Sequence, residues 1–135
     1  MQKKLLYFLY LPFIFSACNI INPKESIPTY IHIEPFTFSN PDSSFTGSST
    51  HSIPSAVVRF DDQTIGTFDL PCTVPIIMSK SGNISIVPTV VNQGIKSYVL
   101  EYPFYQSDAV SLEYSPGNVK NYSPKTKYSN DLTAN

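Results

Sequence analysis

The chain has 135 residues, with 9 Lys+Arg against 10 Asp+Glu and a formal charge of −1, which sets the scale at one small domain with one core. With no basic excess to neutralise phosphates, no nucleic-acid partner is expected. Two cysteines make neither a disulfide framework nor a four-ligand zinc site, so no metal or other cofactor is expected.

At the N-terminus, Gln2-Lys3-Lys4 is a short basic segment, and Leu5 to Phe15 is an apolar run broken only by Pro12. Small Ser16 and Ala17 precede Cys18. This is the three-part layout of a bacterial secretory signal. The run is too short to cross a hydrocarbon layer of ~30 Å, which takes about 20 residues. Phe15-Ser16-Ala17-Cys18 resembles the lipobox of bacterial lipoproteins, with Phe15 where that family usually has Leu. The resemblance implies that residues 1–17 are a removed signal peptide and that Cys18 is the lipidation site. Its thiol would take a diacylglycerol and its freed amine an acyl chain such as palmitate. The expected location is the bacterial envelope, anchored by lipid at the outer membrane, with the periplasmic and surface faces both open. Loss of Lys3 and Lys4 leaves 7 basic against 10 acidic residues, a charge of −3. Lipidation also leaves Cys72 as a lone thiol. Without it, a Cys18–Cys72 disulfide is the rival in an oxidising compartment.

Residues 18–28, with Pro23 and Pro28 and one Lys24-Glu25 charge pair, read as a tether between lipid and domain. The body from 29 to 115 reads as strands. Thr29 to Glu34 alternates, with Ile31 and Ile33 on one face and His32 and Glu34 on the other. Pro35 permits a bend before Phe36 and Phe38, and residues 39–53 are a polar loop. Ala56–Phe60 and Thr64–Leu70 form a hairpin around Asp61-Asp62-Gln63. Thr73–Met78 follows, and Pro75 argues for an edge position. Further strands are expected at Ile84–Val91, Lys96–Tyr105 and Ala109–Tyr114. Pro35, Pro75 and Pro88 are expected to make edge strands irregular and so limit unwanted pairing. Residues 116–135 turn polar and read as a disordered tail or the start of a further segment.

Seven short strands, rich in β-branched and aromatic residues and without a helical period, predict an all-β fold, a small antiparallel β-sandwich of immunoglobulin-like type. Ala56 to Gly66, then Pro71, then Ser81-Gly82-Asn83-Ile84-Ser85-Ile86 resembles the PEGA-type β-sandwich repeat. Asp62 stands where that family has its turn glycine, and the P-E-G-A string is absent. The whole chain, with Pro28-Thr29-Tyr30-Ile31-His32-Ile33 soon after the Cys, resembles uncharacterised lipoproteins of Bacteroidetes. In such proteins a second β-rich domain can follow.

Residues able to carry chemistry are few. His32 and Glu34 share a strand face, but further metal ligands are not evident. His51 lies in the Ser-rich loop, and no G-x-S-x-G elbow or S-x-x-K motif occurs. Asp61 and Asp62 read as turn residues, as do Asp42 and Asp108. Cys72, with no cationic neighbour, reads as a buried thiol. The chain is therefore read as non-enzymatic. One stretch stands apart, Tyr98-Val99-Leu100-Glu101-Tyr102-Pro103-Phe104-Tyr105. If extended, it sets Tyr98, Leu100, Tyr102 and Phe104 on one face and Tyr105 on the other. Such a strand packs a core, or it offers Tyr98, Tyr102, Phe104 and Tyr105 as candidate contacts to a glycan or peptide. The expected function is a structural or docking role at the membrane, among envelope proteins. The alternative is an extracellular glycan- or peptide-binding module.

Overall fold

The computed structural model describes residues 25–39, 51–95 and 98–129. The expected signal peptide, Cys18 and Asp42 lie outside the described residues, as do most of the tether, most of the expected 39–53 loop and residues 130–135 of the expected tail. Among the described residues the chain is all-β, with no helix. Its strands are β1 (Thr29–Ile33), β2 (Thr37–Phe38), β3 (Ser55–Phe60), β4 (Gln63–Asp69), β5 (Cys72–Ile76), β6 (Gly82–Val91), β7 (Val99–Glu101), β8 (Asp108–Leu112), β9 (Val119–Tyr122) and β10 (Lys125–Thr126).

The alternation at the start of the domain builds the middle of a three-stranded sheet ordered β5-β1-β9. Thr29, Ile31 and Ile33 are buried, while Tyr30 and His32 are half-buried on the other face. On one flank β5 runs antiparallel, with Val74 opposite Ile31 and Pro75 opposite Tyr30. The Tyr30 N–H donates to the Asn118 carbonyl at 2.9 Å on the opposite flank. At that rank β1 therefore asks nothing of β5, and the donor that Pro75 lacks is not missed. Pro75 does sit on an edge strand, as its place in the sequence implies.

On the other flank the structure departs from the expected polar tail. Residues 119–122 form β9, parallel to β1, and residues 125–126 form β10, parallel to β2. β10 and β2 make a small two-stranded sheet of their own, which continues the line of the three-stranded sheet past Pro35. Glu34 N–H donates to Tyr122 O, Thr37 N–H to Pro124 O and Ser39 N–H to Thr126 O, all at 2.8–2.9 Å. Pro124 and Thr126 are buried. The fold is thus not purely antiparallel, since these two ladders are parallel and five others antiparallel.

The larger sheet is ordered β4-β3-β6, with β7 and β8 both on the far edge of β6. Its hairpin follows the sequence reading closely. Phe60 pairs with Gln63 across a two-residue turn. Asp61 and Asp62 both have positive φ, 45° and 66°, the type I′ geometry whose twist matches that of paired strands. Pro88 does not lie on an edge. It is fully buried in β6, between β3 and the β7–β8 edge. Its carbonyl accepts from Tyr102 N–H at 3.2 Å. A strand residue's N–H and C=O point the same way, so the donor that proline lacks would also have faced the β7–β8 side. The ladder is interrupted there.

One core joins the two sheets. Ile31, Ile33, Val74 and Ile76 come from the smaller sheet, and Ala56, Val58, Ile84, Ile86 and Leu112 from the larger, with Phe36, Ile53 and Met78 closing the ends. Each fully buried aliphatic side chain here contributes about 1.5–3 kcal/mol. Two ranks on the outer face of the larger sheet are also buried. Ser55 and Thr89 are buried opposite each other. Thr89 Oγ1 donates to the Ser55 carbonyl at 2.7 Å, so the Ser55 hydroxyl donates to Thr89 Oγ1, also at 2.7 Å. One rank on, Val57 and Val87 are buried as a pair. The Arg59–Glu101 ion pair joins the ranks on either side of them.

Candidate functional site

The aromatic stretch is not one strand. β7 leaves the ladder after Glu101, opposite Thr89, and β8 rejoins it at Asp108, opposite Ile86. Two residues of β6, Val87 and Pro88, therefore face six residues of the partner, 102–107, in an enlarged bulge. Of the expected Lys96–Tyr105 strand, Lys96 and Ser97 lie outside the described residues, and over the rest the strand is corrected to Val99–Glu101. Pro88 withholds a donor at this point, and Pro103 cannot supply one. The two prolines were the available sequence signal for the break.

The extruded segment crosses to the other sheet. Tyr105 N–H turns back to Tyr102 O at 3.1 Å, Gln106 N–H donates to Lys127 O at 2.9 Å, and Ser129 N–H donates to Phe104 O at 2.7 Å. Tyr105 and Tyr128 form an antiparallel bridge. Around it the rings gather edge to face. Tyr105 meets Tyr102 at 4.7 Å and Phe38 at 5.6 Å, and Phe38 meets Tyr128 at 5.0 Å. Such pairs contribute about 0.5–1.5 kcal/mol each beyond their burial. Burial, followed by the neighbouring Tyr128, pushes the Tyr105 phenol up from its ordinary value.

The four candidate contact residues thus divide. Tyr102 and Tyr105 are half-buried in a knot that fastens the two sheets. Tyr98 and Phe104 remain exposed, as does Leu100. Phe38, His51 and Tyr128 belong to the same knot and were not legible as such. His51 touches Phe38 at 5.3 Å between ring centroids. Its Nε2 lies 3.2 Å from the Phe36 carbonyl, which only accepts, so that nitrogen carries the proton.

Several other titratable residues are engaged structurally. His32 Nδ1 lies 2.8 Å from Thr73 Oγ1, and its Nε2 lies 3.4 Å from Glu34 Oε1. The ring thus bridges Thr73 of β5 and Glu34 beyond the end of β1. Asp61 Oδ1 accepts the Asn83 N–H at 2.8 Å, and its own N–H donates to Asn83 O at 2.9 Å, tying the hairpin tip to the start of β6. Cys72 is half-buried against the core, and burial, followed by Asp69, raises its thiol pKa. That environment makes a poor nucleophile. Asp108 does more than turn the chain. Its Oδ1 accepts from Ala109 N–H at 2.9 Å, and its Oδ2 accepts from Tyr122 OH at 2.8 Å and Lys125 N–H at 2.7 Å. Among the described residues, no three His, Cys, Asp or Glu side chains converge as metal ligands. Comparison of the chain with protein-family models, with curated proteins and with solved structures gave no match.

Proposed function

We propose that the chain is a lipid-anchored protein of the bacterial envelope with a non-enzymatic structural or docking role. The observation that carries this reading is the order of signals at the N-terminus, Lys3-Lys4, the apolar run and Phe15-Ser16-Ala17-Cys18, followed by a short tether and then the first strand at Thr29. Each buried methylene of an acyl chain contributes about 0.8 kcal/mol, and one chain alone holds only marginally. A diacylglycerol together with an N-acyl chain on Cys18 would keep the domain at the membrane. Two sheets sharing one core support the further reading of a small β-sandwich of PEGA-like type. The test is the intact mass of the protein from a membrane fraction of its host. A mass of residues 18–135 plus a diacylglycerol and an acyl chain is expected, and Cys18→Ser should lose both lipid and membrane association. An unlipidated chain that still fractionates with membranes would overturn the reading.

The alternative, a glycan- or peptide-binding module, is favoured by one observation, the exposure of Tyr98, Leu100 and Phe104. Under it, Tyr98→Ala and Phe104→Ala abolish binding on a glycan or peptide array without lowering the melting temperature.

A further inference from the structure

We infer that the domain rests on the lipid surface with the outer face of its β5-β1-β9 sheet, at the end where the tether enters. The inference rests on the lipid anchor proposed above. The register sorts that face into ranks. Nearest the tether are Ile77, 73% exposed and two residues on from Pro75, and, at the end of the domain beside that face, Ile27, 63% exposed. Ile27 lies over the Gly117 turn, whose N–H donates to the Pro28 carbonyl at 2.8 Å. The next rank crosses all three strands as Pro75, Tyr30 and Val119, the last 55% exposed. Beyond it the rank is polar, Thr73, His32 and Asn121. The outer face is therefore apolar over its tether-proximal ranks and polar beyond them. On the larger sheet, by contrast, the outer Val57–Val87 pair is already buried.

The tether identifies the occupant. Cys18 to Pro28 spans at most ~35 Å of extended chain, and it joins the fold at this apolar end. Any surface that holds the Cys18 lipid is thus within reach of Ile27, Ile77 and Val119 first. Isoleucines, a valine and an amphipathic tyrosine suit the boundary between headgroups and acyl chains, where apolar faces insert by ~5–10 Å. The nearby cation does not make the contact electrostatic, since Lys120 is accompanied by Glu113 and Glu25 stands two residues before Ile27. Salt should leave it unchanged.

The chain contains no tryptophan, so single indole reporters are unambiguous. Ile77→Trp places one on the apolar rank. Phe104→Trp places one beside β10, which continues the β9 line away from the tether. Each lipidated full-length protein is reconstituted in phosphatidylcholine vesicles carrying brominated acyl chains, and lipidation is checked by mass in the same sample. The expected result is several-fold stronger quenching in the Ile77→Trp protein than in the Phe104→Trp protein, with a blue-shifted emission in the former that persists in high salt. Equal, weak quenching of both in a lipidated, vesicle-bound protein overturns the docked orientation and leaves the anchor intact. A blue shift in Ile77→Trp without bromine quenching also overturns it, in favour of contact with a second copy. A chain without lipid that does not bind vesicles overturns the anchor itself. Matching thermal melts of both variants exclude misfolding as the cause.

Discussion

A single carboxylate can decide how three strands meet, and Asp108 does so here. It ends the bulge, starts β8, and accepts from the Tyr122 hydroxyl of β9 and the Lys125 backbone of β10. Burial is the first cause that pushes the Tyr122 phenol up from 10 to about 12, and the bond to Asp108 is the second. The sign of the linkage follows. The folded state keeps a proton that the unfolded state releases, so this contribution is full below pH 10 and is lost as pH rises through about 12. In Asp108→Asn the negative charge is gone while burial stays. The Tyr122 titration, followed by NMR of ring-labelled tyrosine, is therefore expected to fall back toward 10 without reaching it. Asp108→Ala leaves the hydroxyl and the Lys125 N–H without their acceptor and should cost about 1–3 kcal/mol in denaturant melts. An unchanged Tyr122 titration in Asp108→Asn would remove Asp108 from this role.

At the scale of elements, what could be read from the sequence was what is local. The β3–β4 hairpin was legible because alternating apolar residues flank two turn-forming aspartates. The structure returns it within a residue at each end. β1, β5 and β6 were legible for the same reason. That a break separates β7 from β8 was legible, but the early end of β7 at Glu101 was not, because the aromatic run keeps alternating through 102–104 while its partner strand carries a proline at the decisive rank. The hairpin also offers a direct test. Asp tolerates the left-handed region better than most residues, yet it retains a steric cost there that glycine does not. Asp61 is bound to Asn83 and should stay. Asp62→Gly is expected to stabilise the protein by about 0.5–1 kcal/mol, seen as a rise of a few degrees in melting temperature. Asp62→Val should lose about 1–2 kcal/mol. Equal melting of all three proteins would mean that the turn does not hold the geometry described.

For the whole molecule, the decisive feature is that the chain closes on itself through β9 and β10. The polar composition of residues 116–135 pointed to a tail, since Val119-Lys120-Asn121-Tyr122 carries few large apolar side chains and its partner β1 lies at the other end of the domain. Parallel pairing across that distance leaves no local pattern to read. Closure nevertheless depends on it. β9 covers the open edge of β1, β10 continues its line past Pro35, and Tyr128 anchors Tyr105 and Phe38. A chain cut after Ser115 would expose the whole β1–β2 edge, a template for pairing with other chains. It would also strip Asp108 of two donors and open the aromatic knot. Non-local ladders form and melt with the fold they close, so the loss is expected to be cooperative. The truncated protein should give no cooperative thermal transition, or one far below that of the full chain, and it should aggregate where the full chain stays dispersed. Were residues 116–129 only an appendage, the two proteins would melt together, and light scattering beside the melt distinguishes the cases.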